Sequence, residues 1–140
     1  MPPRDCPCFS GARYVACCAP LHGGEREAGT PEALMRSRYA AFALGLGAYL
    51  VRTLSAVHAD RAHDEAALAR ELSRAKERQR FLGLAIESAR DDGATGEVTF
   101  RARIFERGRD RSFTERSTFV REGGAWRYAS GVLLEEPPAP

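Results

Sequence analysis

Cys6-Pro7-Cys8, then eight residues, then Cys17-Cys18: four thiols fall between positions 6 and 18, and no cysteine follows in the 140-residue chain. Thiols placed for packing would scatter along the sequence, whereas two close pairs on a short loop can wrap one metal ion. A tetrahedral Zn²⁺ takes four soft ligands of this kind. Cys6, Cys8, Cys17 and Cys18 are the expected ligands. His22 is the alternative fourth donor, in which case Cys18 becomes a small buried hydrophobe. Four protein ligands leave no open coordination position for water or substrate, so the expected zinc is structural. Pro7 holds the chain extended, and Phe9-Ser10-Gly11 reads as a turn whose backbone N–H groups face thiolate sulfur. Arg13 is placed to offset part of the cluster's charge of about −2. The competing chemistry is oxidation of the thiolates with release of the metal.

The chain must position this cluster with limited material. Its length suits one ordinary domain plus a small appendage. Apolar residues make up 44% of it, enough for a core, while 21 basic and 19 acidic groups leave a net charge of +2. So balanced a charge argues against a dedicated nucleic-acid binder. No stretch of eighteen apolar residues exists to form a transmembrane helix. Met1-Pro2-Pro3-Arg4-Asp5 lacks the apolar run of a secretory signal. A cytoplasmic, reducing location is therefore expected, where clustered thiols favour metal over disulfides.

Residues 1–24 are expected to form the zinc module, and His22 to Gly29 a glycine-rich connector with little order of its own. Thr30-Pro31-Glu32 is a helix start: N-cap hydroxyl, proline at the first position, carboxylate in the first turn. Met35, Tyr39, Phe42 and Leu46 give that helix one apolar face, interrupted at Gly45 and Gly47. A second helix carries Tyr49, Leu50, Thr53 and Leu54. Between Asp60 and Arg80 a charged helix is expected, with Asp64 as N-cap and a narrow stripe of Leu68, Leu72 and Ala75. Arg70, Arg74 and Arg78 fall four apart on it, a solvated basic face.

The period then changes from helical to two. Strands are expected over Phe81–Ala89, Val98–Ile104, Ser112–Arg121 and Ala125–Leu133, separated by turns at Asp91–Gly96, Gly108–Asp110 and Gly123-Gly124. Helices first and an antiparallel meander after give an α+β layer. The proline-rich tail, residues 135–140, is expected to be disordered.

The run from Cys6 to Cys18, with Ser10-Gly11 and Tyr14 between the pairs, resembles the SEC-C motif. That zinc module is also found at the C-terminus of the SecA translocation ATPase. Phe9 stands where the motif commonly has glycine. The order of the later elements resembles the NTF2-like fold, a curved sheet wrapped around helices into a cone. Three blocks resemble the middle domain of YchJ-like proteins: Leu34 to Phe42, Tyr49 to Thr53, and Glu115-Arg116-Ser117-x-Phe119 with Trp126-x-Tyr128. The resemblance implies an NTF2-like domain over residues 30–134 behind a zinc hairpin. Relatives often read Thr-Trp-His-Pro after the second helix, where this chain has Thr53-Leu54-Ser55-Ala56-Val57-His58. Many also carry a second SEC-C module at the C-terminus, where this chain has its proline tail.

NTF2-like cones sometimes hold acid–base enzymes, and the residues placed to line such a cavity are Tyr39, His58, Asp60, Glu115, Trp126 and Tyr128. No nucleophile–base pair or phosphate-cradling loop is legible among them. Glu115 is expected to form a buried ion pair with Arg36 or Arg38. The resemblance to SecA's tail implies a non-catalytic adaptor whose hairpin contacts another protein, of chaperone or ribosome class. The alternative is a small-molecule binder or acid–base enzyme using the cone. Nucleic acid ranks third, on the arginine stripe alone.

Overall fold

Thr30 starts the helical part of the body. Its backbone is extended, and its Oγ1 accepts the Ala33 N–H at 3.0 Å, which leaves Pro31 to open the helix without an orphaned donor. A computed structural model describes residues 3–134, so the expected disorder of residues 135–140 lies outside the described residues. Five helices and five strands follow in order: α1 (Ala19–His22), α2 (Pro31–Leu44), α3 (Gly47–Arg52), α4 (Glu65–Ser73), α5 (Ala75–Arg78), β1 (Gln79–Asp91), β2 (Thr95–Glu106), β3 (Arg109–Asp110), β4 (Phe113–Glu122) and β5 (Ala125–Leu134). Helix α2 ends at Gly45, whose φ of 74° is the left-handed cap that glycine adopts without strain. The charged segment is two helices, not one. Asp64 caps the first of them by accepting from Ala67 N at 2.9 Å.

The sheet is antiparallel throughout, in the order β1-β2-β4-β5, with the two-residue β3 pairing on β2. Strand β2 shows why it sits inside: Gly96, Val98, Phe100, Ala102 and Ile104 are all buried, and the residues between them are not. Register shifts occur in the β1–β2 pairing at Phe81/Gly83 and Ile86/Ser88, and in the β4–β5 pairing at Thr118/Phe119. Such bulges raise local twist and bend a sheet. Here they accompany the curvature of the cone. The segment after α3 closes its side, because Ser55 N donates to Tyr128 O and Tyr128 N donates to Thr53 O, both at 2.8 Å.

Helix α2 lies between the sheet and the cysteine hairpin. Leu34, Met35, Tyr39 and Ala41 join the core with Val98, Phe100, Phe119 and Trp126. Ala40 and Leu44, on another face, pack with Cys6, Cys8, Tyr14 and Cys18. The connector corrects the expectation of a slack linker. Ala28 is buried, Glu27 pairs with Arg127 at 2.9 Å and with Arg52 at 3.5 Å, and Arg52 also donates to Leu21 O. Side-chain ties at its far end offset the entropy of its glycines. These contacts tie the hairpin to the body. No helix among the described residues is long and apolar enough to cross a membrane.

Candidate functional site

The hairpin is built by short local bonds. Asp5 and Arg13 form a β-bridge, Cys6 N donates to Ala12 O at 2.9 Å, and Tyr14 N donates to Arg4 O at 3.0 Å. A single 3₁₀ turn, Tyr14–Ala16, then delivers Cys17. The adjacent pair can face one point because the backbone bends sharply at Cys17 (φ −118°, ψ −95°), after which Cys18 enters α1 in helical conformation. Phe9 holds a left-handed φ of 61°, the conformation a glycine takes freely. The phenylalanine keeps the turn and places its ring edge-on against Tyr39, 6.1 Å between centroids.

The ligand atoms of Cys6, Cys8, Cys17 and Cys18 lie within 4.8 Å of one another. Cys8 and Cys17 sulfurs are 3.6 Å apart, and those of Cys17 and Cys18 3.9 Å. Four sulfurs at ~2.3 Å from a tetrahedral Zn²⁺ would stand about 3.8 Å apart. The donor set therefore fits such an ion in both chemistry and spacing. Without a cation the thiols would share charge unequally. Cys18 and then Cys6 donate to Cys8 and hold it far below the ordinary thiol range, aided by Ser10. Donation to Cys6 and Cys8, with burial, pushes Cys18 far up. Cys6 is drawn down by Cys18 but raised more by Cys8 and burial, to about 11. A dication at the centre removes this competition by favouring all four thiolates. Ser10 Oγ stands 3.2 Å from Cys17 Sγ. Arg13, expected to offset the cluster's charge, is exposed. The arginine that reaches a cysteine of the cluster from the body is Arg36, whose Nη1 donates to Cys8 O at 3.0 Å.

His22 is placed otherwise than as a ligand. Its Nε2–H donates to Ser37 O at 2.8 Å, and its Nδ1 accepts from Tyr14 Oη at 2.7 Å. Both ring nitrogens are occupied in tying the hairpin to α2. Burial holds the imidazole below its ordinary pKa, against the pull of Ser37 O, so the folded ring is neutral. The unfolded ring takes up a proton below about pH 6.5 that the folded ring refuses, so stability falls as pH drops through that value. Replacement His22→Phe removes this dependence and strands two buried polar groups, costing about 2–3 kcal/mol at pH 7.5. Urea titrations of both proteins at pH 7.5 and 6 check it. Equal pH dependence in the two would refute the assignment.

The cone encloses a cavity of about 500 Å³, within the range of small-molecule sites. Its wall is aromatic and aliphatic: Phe42, Phe81, Phe100 and Phe113, with Met35, Leu54, Leu72 and Ile104. Arg38, His58, Asp60, Glu115, Ser117 and Tyr128 make a polar corner, and Gln79 and Arg111 also line the space. Phe42 and Phe100 line the space without plugging it. Tyr39 contributes its ring, while its hydroxyl is committed to Gly83 O at 2.8 Å, and burial raises its pKa to about 12. His58 Nδ1 accepts the Asp60 N–H at 3.0 Å, and the imidazole lies 5.5 Å from the Tyr128 ring. His58 thus reaches the cavity from three positions beyond the place where relatives' histidine is expected.

Two expectations fail here. Trp126 does not line the cavity: it is fully buried in the core, and Arg121 stacks on it at 5.1 Å. Its Nε1 is the single sealed polar side-chain atom without a partner among the described residues. The Glu115–arginine ion pair is also absent among the described residues. Glu115 Oε2 instead accepts from Ser117 Oγ in a short bond and from Tyr128 Oη at 3.1 Å. Gly131 makes room for this, since a Cβ there would lie 2.4 Å from both Glu115 Oε2 and Tyr128 Oη. Arg36 pairs with Glu32 instead. Arg38 Nη1 donates to Leu50 O at 2.7 Å and to Thr53 Oγ1 at 2.6 Å, and its guanidinium lies 4.7 Å above the Tyr128 ring. Burial lowers the Arg38 pKa to about 10, offset in part by Tyr128, Tyr49, Glu115 and Asp60, so it stays charged at neutral pH. Burial, then Glu115, raises Tyr128 to about 12. The sequence pointed to Arg36 or Arg38 as Glu115's partner and gave no place to Arg38 on the cavity wall. The signal was a charged residue one position from Tyr39 on an otherwise apolar face.

Residues 30–131 match the family described as the YchJ middle NTF2-like domain. A UPF0225 protein of Deinococcus radiodurans is 43% identical over 128 residues, covering 91% of this chain and 88% of its own. A UPF0225 protein of Streptomyces coelicolor is 42% identical over 139 residues, covering 96% and 100%. The solution structure of a SEC-C motif containing protein from Rhodopseudomonas palustris superposes with a TM-score of 0.80 at 37% identity, covering 93% and 98%. With an α+β NTF2-like body behind a cluster of four cysteines, the chain belongs to the YchJ (UPF0225) family.

Proposed function

We propose that this protein binds a small molecule in its cone, with a structural zinc ion holding the amino-terminal hairpin against the helix that forms one cavity wall. The observation that carries the proposal is the cavity of about 500 Å³ with a largely aromatic and aliphatic wall and a minority of polar groups. Core side chains ordinarily close such space, and an open apolar chamber in a chain of this size points to an occupant. Zinc is favoured by the all-sulfur donor set and its spacing.

A neutral solvatochromic dye tests the cavity. One equivalent is expected to bind with enhanced emission and to shift the methyl resonances of Met35, Leu54, Leu72 and Ile104, leaving Val15 unmoved. Shifts confined to the outer surface, or no enhancement at all, would end the proposal.

A second function rests on Phe9 and Val15, which are 47% and 68% exposed beside the cysteine cluster. We propose them as the contact of an adaptor hairpin with a protein partner of chaperone or ribosome class. The ordered connector counts against free swinging but leaves this face open. Replacing both by serine should preserve metal content and remove co-purifying proteins. An unchanged set of partners would dispose of the adaptor.

A further inference from the structure

We infer that the occupant of the cone is a small organic monocarboxylate, with Arg38 as its anchor and the phenylalanine wall receiving its carbon body. This rests on the cavity function proposed above. Arg38 is 8% exposed and lines the cavity. A guanidinium carries five N–H donors. The two on Nη1 are spent on Leu50 O and Thr53 Oγ1. The three on Nε and Nη2 have no partner in the described protein. Nor are they sealed in, since the one enclosed orphan atom is Trp126 Nε1. Unsealed on a residue that borders the cavity, they are the donors Arg38 has to offer an occupant.

Their chemistry selects the ligand. Nε–H and one Nη2–H lie parallel in the guanidinium plane, a fork that matches the two oxygens of a carboxylate. The Nη1 bonds and the Tyr128 ring below the plane fix that fork before anything binds, which reduces the entropy lost on binding. No carboxylate of the described protein forms an ion pair with Arg38, so this nearly buried cation lacks the partner such charges ordinarily have. Glu115 and Asp60 share the polar corner. Set against Arg38 and Arg111, the two cations on the lining, they leave no net positive charge to hold a dianion such as a phosphate monoester, and a singly charged head is the best match. Phe42, Phe81, Phe100 and Phe113 offer the carbon body an aromatic wall, with Gln79 and Arg111 as further polar groups on the lining.

Calorimetric titration of the metal-loaded full chain with 4-phenylbutyrate and with its primary amide tests the inference. The acid is expected to bind at least ~10-fold more tightly than the amide. Arg38→Lys keeps the charge but loses the fork, and should weaken the acid by about 10-fold while leaving the amide unchanged. Should that variant fail to fold, the Arg38 Nε–H resonance of the unaltered protein decides, since it must move with the acid and stay still with the amide. Equal binding of acid and amide, or an acid indifferent to Arg38→Lys, would overturn the carboxylate anchor and leave the cavity function standing. If neither probe nor the neutral dye binds, both are overturned.

Discussion

The Cys8→Ser variant is expected to be purified without its metal and to be less stable by on the order of 3–5 kcal/mol. Cys8 is wholly inaccessible to solvent, so a serine there leaves three sulfurs crowded around a vacant centre. The damage should not stay in the hairpin. Arg36 bonds Cys8 O and His22 bonds Ser37 O, so disorder around the metal removes two ties from α2 and uncovers Ala40. Elemental analysis under reducing conditions and guanidinium unfolding at pH 7.5 measure both effects. Wild-type protein holding well under one equivalent of metal, or a variant of unchanged stability, would refute a structural centre.

Replacing Trp126 separates packing from binding. Trp126→Ala should cost about 3–5 kcal/mol, as for other large core aromatics. Trp126→Phe should cost less, about 1–2 kcal/mol, because the smaller ring also removes the sealed Nε1–H that has no acceptor. Both variants should shift the denaturation midpoint without changing its slope. The phenylalanine variant should take up the neutral dye as the wild type does, since Trp126 lies off the cavity wall. Dye uptake lost at unchanged stability would place the indole in the binding surface after all.

What could be read from residues alone follows a physical line. Metal spacing is local, so Cys6 to Cys18 announced its chemistry without knowledge of the fold. Thr30-Pro31 is likewise a local signal, and the period-two alternation of β2 reports a strand with one buried face. The docking of the hairpin was not legible, because the face of α2 that receives it is made by Ser37, Ala40 and Leu44, a stripe with one large apolar residue among a polar and a small one. His22 to Gly29 looked slack since composition describes the backbone's freedom, while the ties at Glu27 come from arginines 25 and 100 residues away. Trp126 and Tyr128 sit two apart on β5, yet one is in the core and the other on the cavity wall. Their pairing is regular, Trp126 opposite Arg121 and Tyr128 opposite Phe119, so both point to the same side of the sheet, and depth within one face leaves no mark in the alternation. Glu115 was matched with Arg36 or Arg38 by opposite charge, although neutral groups hold Glu115 and orient Arg38, and Arg36 pairs with Glu32.

The position of α2, clad on one side by the hairpin and on the other by the sheet, has a consequence for biosynthesis. A ribosome delivers the cysteines before the helix and the helix before the strands. The thiolate cluster, whose contacts span barely a dozen residues, can close early, since short-range contacts form fastest. Each later layer then meets a finished surface. In a cell starved of the ion, nascent chains would present α2 with its outer flank bare, and such exposed apolar surface favours aggregation during folding.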